Sequence, residues 1–197
     1  MKKTILLSFA IIAVNIAIAQ SVHLGFKGGL NFSNLKGSSD ANDYKVSFHA
    51  GVLTHIHISK RFALQPELTY SNQGGERTSN NIDIKHSLNY VNIPVLAQYM
   101  FGKGFRLETG PQLGFLTSAK QKVDNKETNI KGFYESTDFS WAFGIGYVGP
   151  KGLGFDARWL VGAKDINKRV NQPSTFNNNF QVGLFYMLDP SHNRNAH

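Results

Sequence analysis

Residues 138–163 read DFSWAFGIGYVGPKGLGFDARWLVGA. In the first half, Phe139, Trp141, Phe143, Ile145 and Tyr147 share one parity, and Ser140, Ala142, Gly144 and Gly146 share the other. After Gly149-Pro150-Lys151-Gly152, Leu153, Phe155, Ala157, Trp159 and Val161 alternate with Gly154, Asp156, Arg158 and Gly162. Alternation at period two predicts strands with one apolar face, and the Gly-Pro-Lys-Gly stretch between them predicts a tight turn. The two faces have distinct fillings. One carries aromatics, and the other carries glycine and charge.

The same pattern recurs on both sides. Eight segments show it, at about 22–32, 46–58, 61–71, 88–101, 104–117, 138–149, 152–163 and 177–188. Their connections alternate in length. Short turns fall at Ser59-Lys60-Arg61, Gly102-Lys103-Gly104 and Gly149-Pro150-Lys151-Gly152, and polar loops at about 33–45, 72–87, 118–137 and 164–176. An even number of antiparallel strands, with short turns at one end and long loops at the other, predicts an up-and-down transmembrane β-barrel. The short turns and both termini would then lie in the periplasm, and the long loops outside the cell.

Alternation alone leaves open which face points outward. A soluble lipocalin-like carrier also has about eight strands, with its apolar parity inside. The polar parity here is crowded with glycine (Gly25, Gly29, Gly51, Gly110, Gly144 and Gly154 among others), which weakens a solvated strand but makes room in a narrow lumen. Aromatics on the apolar parity gather towards strand ends. Phe48, Tyr70, Phe115, Trp141 and Phe180 fall towards the outer surface, and Phe62, Tyr99, Phe101, Phe105, Tyr147, Phe155 and Tyr186 towards the periplasm. Two aromatic girdles round an aliphatic band suit a bilayer. Pro66, Pro94 and Pro111 fall inside predicted strands, where each removes a ladder donor, so bulges are expected there.

The chain of 197 residues is long enough for one domain, and its lack of cysteine excludes disulfides, thiolate metal sites and thiol nucleophiles. Lys2 and Lys3, the apolar run Thr4 to Ile16, and Ala17-Ile18-Ala19 before Gln20 read as a secretory signal peptide. Residues 1–19 are therefore the expected leader, cleaved between Ala19 and Gln20. Residues 20–188 form the barrel domain and 189–197 a short tail. The net charge of +8 falls to +6 without Lys2 and Lys3. Lys60, Arg61, Lys103 and Lys151 on the short turns carry much of that excess, beside the membrane surface. A nucleic-acid reader would gather its charge on one aromatic-lined face, so outer-membrane lipid is the expected partner and nucleic acid is not.

Several strand motifs resemble those of PorT-type "porin family" outer-membrane β-barrel proteins. They are Lys27-Gly28-Gly29-Leu30-Asn31, Leu64-Gln65-Pro66-Glu67-Leu68-Thr69-Tyr70-Ser71, Asn92-Ile93-Pro94-Val95-Leu96 and Gly110-Pro111. The resemblance covers the mature chain and implies a small barrel of the OmpA/OmpX kind in the outer membrane of a Gram-negative bacterium. It also implies recognition by the barrel-assembly machinery, here through the internal Phe185-Tyr186-Met187-Leu188, and a possible secretion-machinery or cell-surface partner.

The candidate site is the lumen. Lys27, Glu67, Arg106, Glu108, Asp156 and Arg158 share inward parity, with equal numbers of each sign. Charges in a narrow interior must be paired, so a structural network with Gln65, Asn92, Gln98, Gln112 and Gln181 is expected, where a selective pore would favour one sign. His49, His55 and His57 share inward parity; His55 and His57 are spaced to chelate a metal, but no carboxylate or further histidine is evident at matching depth, so ordinary hydrogen bonding is expected of them. His86-Ser87 with Asp83 supplies the residue types of a hydrolytic triad, but adjacent strand residues face opposite ways. No catalytic residue, cofactor or metal is expected. The predicted role is structural, adhesive or assembly-type, acting through outer loops that present Lys131, Phe133 and Tyr134. A narrow channel and a lipid-modifying enzyme are the alternatives.

Overall fold

The computed structural model describes residues 22–37, 43–79, 82–124, 126–169 and 173–188. The alternating segments form β1 (Val22–Lys36), β2 (Lys45–His57), β3 (Phe62–Ser79), β4 (Ile82–Phe101) and β5 (Phe105–Val123). A short β6 (Lys126–Asn129) and one turn of 3-10 helix (Lys131–Phe133) follow, then β7 (Thr137–Val148), β8 (Leu153–Gly162) and β9 (Phe176–Met187). Every pairing is antiparallel, and neighbours run β4-β3-β2-β1-β9-β8-β7-β5. β4 also pairs with β5, so these strands close into a ring and leave no edge. β6 lies outside the ring, paired to the far end of β5. The predicted cleavage residues Ala19 and Gln20 and the tail 189–197 lie outside the described residues.

The apolar parity faces outward. Leu24 is 57% exposed, Phe143 56% and Trp159 55%, whereas Asp156 and Arg158 on the other parity are 2% and 3% exposed. Such a continuous greasy exterior needs a non-aqueous surround. It is banded as a bilayer is. At the short-turn end, ring centroids step from Phe62 to Tyr99 (5.2 Å), to Phe101 (6.4 Å), to Phe105 (6.0 Å), to Tyr147 (4.9 Å) and to Phe155 (5.7 Å). The Phe48–Tyr70 and Phe32–Phe180 pairs mark the opposite belt. Inside, space is scarce: a Cβ on Gly154 would stand 2.2 Å from the Phe185 ring.

The prolines behave differently from the expectation. No register shift accompanies any of them. The β2–β3 ladder loses its pairs beside Pro66 and resumes unshifted from Leu53↔Glu67 to Ile56↔Leu64. The β3–β4 ladder does the same around Pro94, and the β4–β5 ladder around Pro111. Each proline removes one donor towards the preceding strand without inserting a residue, so the register is kept. The irregularity lies elsewhere, where Asn89↔Ser118 gives way to Tyr90↔Leu116 and leaves Thr117 as the extra residue.

The expected loops at 72–87 and 118–137 are also largely strand. β3 and β4 continue to Ser79 and from Ile82, and β5 runs to Val123 before folding back as β6. Above the bilayer the outward face meets water and the inward face buries polar groups such as Gln73 and His86, so these extensions carry no apolar alternation to read. Gly74 sits in this extension at φ +129°, where a Cβ would fall 2.0 Å from the His86 carbonyl oxygen. With the apolar face against lipid, Ile145→Arg near mid-band should destabilise the barrel by about 2–4 kcal/mol in urea unfolding from bilayers, and Thr117→Arg above the band by about 0–1 kcal/mol.

Candidate functional site

Four strands contribute the charged centre of the lumen: Lys27 from β1, Glu67 from β3, Arg106 and Glu108 from β5, and Asp156 and Arg158 from β8. Arg158 is the hub. Its Nη1 lies 2.8 Å from Glu67 Oε1, its Nε 2.7 Å from Glu108 Oε2, and its Nη2 3.4 Å from Asp156 Oδ2. Lys27 Nζ reaches Asp156 at 3.1 Å and Glu67 at 3.4 Å. Gln65 donates to Glu67 at 2.7 Å and Gln98 to Glu108 at 2.8 Å. Arg106 joins through Gln98 Oε1 at 3.4 Å, and its guanidinium stands 5.0 Å over the Phe185 ring. All the charges expected in the lumen are brought together, Arg106 by way of an amide.

Asn92, Gln112 and Gln181 are inward but lie outside this ion cluster. Gln112 donates to Ser140 Oγ at 3.2 Å, and Gln181 to Asn31 Oδ1 at 2.9 Å. Asn31 organises a neutral layer of its own. Its amide nitrogen lies 2.9, 2.9 and 2.7 Å from the Phe48 carbonyl, Ser71 Oγ and the Asn72 carbonyl, three acceptors that share its two hydrogens. Its oxygen lies 2.9 Å from His49 Nδ1 and also receives Asn179. Because that oxygen is the acceptor, Nδ1 of His49 carries the proton. In the sequence Asn31 belongs to a strand motif, but nothing local marks it as the centre of an amide layer.

The outer mouth is closed by apolar packing. Leu35, Leu88, Tyr90, Leu116 and Ala119 from the strands meet Ile130, Tyr134 and Ile166 from the loops in one buried cluster. The loops are tied down by backbone bonds from Glu135 N–H to the Ile166 carbonyl (2.8 Å) and from Lys168 N–H to the Phe133 carbonyl (3.0 Å). Asp165, outside the membrane, anchors the second loop by accepting the N–H groups of Asn167 and Thr175, each at 2.9 Å. Partial burial pushes its carboxyl up, but those two donors and the Ser174 hydroxyl together outweigh it and hold the group below the usual carboxylate range.

Tyr134 departs from expectation. It is 4% exposed, not presented, and its hydroxyl lies 2.8 Å from His86 Nδ1. Phe133 is 50% exposed on the crown, with the Arg169 guanidinium 5.7 Å over its ring. His86 faces inward against Gln121 (3.0 Å), whereas Ser87 Oγ receives Lys45 Nζ at 2.8 Å and Asp83 receives Thr78 at 2.7 Å. The triad residue types are therefore not assembled as a triad.

A closed antiparallel ring with a greasy exterior and a filled polar axis is the geometry of a small outer-membrane barrel. The sequence matches the family described as outer membrane protein beta-barrel domain over residues 18–168, which is most of the chain. The chain belongs to that family. Among solved structures it is similar to Neisserial surface protein A, at 10% identity and TM-score 0.55, covering 85% of this chain and 97% of that one. It is also similar to Ail, the attachment invasion locus protein of Yersinia pestis, at 12% identity and TM-score 0.50, covering 84% and 98%. No curated protein matches the sequence. At such identities the likeness carries the fold, and family and fold together locate the protein in the outer membrane.

Within this barrel family member, losing Arg158 would leave Glu108 without an ion-pair partner and Glu67 sharing Lys27 with Asp156. Arg158→Leu should lower stability by about 3–5 kcal/mol in urea unfolding. Adding Glu67→Gln and Glu108→Gln to it should restore part of the loss, because the unpaired Glu108 charge is removed and Lys27 is left to Asp156 alone.

Proposed function

We propose that the protein is a structural and adhesive outer-membrane barrel that acts through its extracellular crown and conducts nothing along its axis. The observation that carries this reading is the stacking of closures along one lumen. An apolar plug at the mouth, the Asn31 amide layer and the Arg158 ion cluster follow one another, each built from buried side chains. An eight-stranded interior is just wide enough to be filled in this way. The charge is also balanced in sign, unlike the single-sign rings of a selective pore.

Function then falls to the crown. Its loops are held rigid by the Tyr134↔Asn167 bridge and by the insertion of Tyr134 and Ile166 into the mouth. On that base Phe133 and Arg169 form an exposed aromatic–guanidinium pair, the residue types that dominate binding hot spots. Ail is named for attachment and invasion, and a division between inert barrel and working crown is what we assign to this chain. The PorT-type strand motifs extend the reading to an assembly role, with the barrel-assembly machinery and a secretion-machinery or cell-surface protein as partners. Single-channel recording of the refolded barrel in planar bilayers should show no steady current, and a stable sign-selective conductance would overturn the proposal. Cells displaying the Phe133→Ala, Arg169→Ala double variant should lose surface attachment while their unboiled barrels keep the folded gel mobility.

A further inference from the structure

The periplasmic rim of the lumen holds a cluster that neither the ion network nor the crown uses. The β1–β2 register sets His23 directly beside His55. The two-residue spacing sends His57 to the same side as His55. The rings converge, with centroids 4.5 Å apart for His55–His57, 5.7 Å for His23–His57 and 6.5 Å for His23–His55. They line one cleft together with the thioethers Met100 and Met187, the Val148 side chain and the Arg106 guanidinium. His57 and Met100 are partly exposed, so the cleft communicates with the periplasm, whereas His55 is buried and its Nδ1 has no hydrogen-bond partner.

We propose that His23, His55 and His57, together with the Met100 or Met187 sulfur, bind one copper ion at the periplasmic mouth. The ligand chemistry selects the metal. Neutral imidazole and thioether are the donors that copper, above all Cu(I), prefers, whereas calcium and magnesium need oxygen ligands and no carboxylate among the described residues lines this cleft. Metal–nitrogen bonds of about 2.0–2.1 Å place two imidazole centroids on a tetrahedral ion about 5 Å apart. The observed separations of 4.5, 5.7 and 6.5 Å straddle that value.

Among the described residues no set of three His, Cys, Asp or Glu side chains is already arranged to hold an ion. Binding therefore turns the rings about their side-chain bonds, with His57 and Met100 at the open edge having room to move. Arg106 is the opposing charge. It is coupled to the Glu108 carboxylate through Gln98, and a monovalent ion is repelled by it half as strongly as a divalent one. That asymmetry favours Cu(I) over Zn(II) in an otherwise neutral ligand set.

The test uses the full mature chain, refolded in detergent and titrated anaerobically with Cu(I) against bathocuproine disulfonate, and separately with Zn(II). One Cu(I) per barrel is expected, lost in the His23→Ala, His57→Ala double variant and weakened about tenfold or more by the Met100→Leu, Met187→Leu double variant. The His192→Ala, His197→Ala variant controls for the tail and should bind as the parent does. Heat-dependent gel mobility reports that each variant is folded. Failure of the parent to take up Cu(I), uptake retained by the His23, His57 variant, or Zn(II) bound as tightly as Cu(I) would each overturn the proposal.

Discussion

A sheet that closes on itself in hydrocarbon must put everything polar on its inner side, and with eight strands that side is narrow. Every other feature of this protein follows from that confinement. Glycine at inward positions such as Gly154 leaves space for Phe185, and charge is admitted where it is matched. Arg158 touches Glu67, Glu108 and Asp156, and Lys27 touches two of the same carboxylates, so the cluster ties β1, β3, β5 and β8 across the axis. A slip of any one strand by one residue would send its charges into lipid and its aromatics inward. The ion cluster thus fixes register, whatever its net contribution to stability against an apolar filling.

The two ends of the axis are finished differently. Outward, the segments that carry Ile130, Tyr134 and Ile166 fold over the mouth and bury those side chains against strand residues. Inward, Leu53, Val148, Phe185 and Met187 form a smaller apolar cluster, and beside it the histidines His23, His55 and His57 line an open cleft. The middle is filled by buried, paired side chains, and both ends carry groups of their own. Such a barrel suits work done at its ends.

The sequence reveals the membrane-embedded part of this structure and conceals the rest, for a physical reason. Where one face meets lipid, alternation is enforced, and strands such as 138–149 can be read to within a residue or two of β7 (Thr137–Val148). The inward charges follow from the same parity. Above the bilayer that contrast disappears, so the extensions of β3, β4 and β5 read as loops. Tyr134 reads as a surface aromatic because nothing local shows that the mouth needs a plug. His23 escapes notice for another reason: only the register places it against His55. The prolines invite bulges in the sequence, yet a missing donor interrupts a ladder without shifting it.

The claim on which the account rests is that the aromatic parity faces lipid, and the tryptophans report it directly. Trp141 and Trp159 are 41% and 55% exposed on that parity. The barrel should be reconstituted in bilayers whose acyl chains carry bromine, and its fluorescence compared with that in unbrominated lipid. Strong quenching by the chains, with little further loss on adding aqueous iodide, is the predicted result. Fluorescence indifferent to the brominated lipid would place both rings inside the protein and contradict the structure described here.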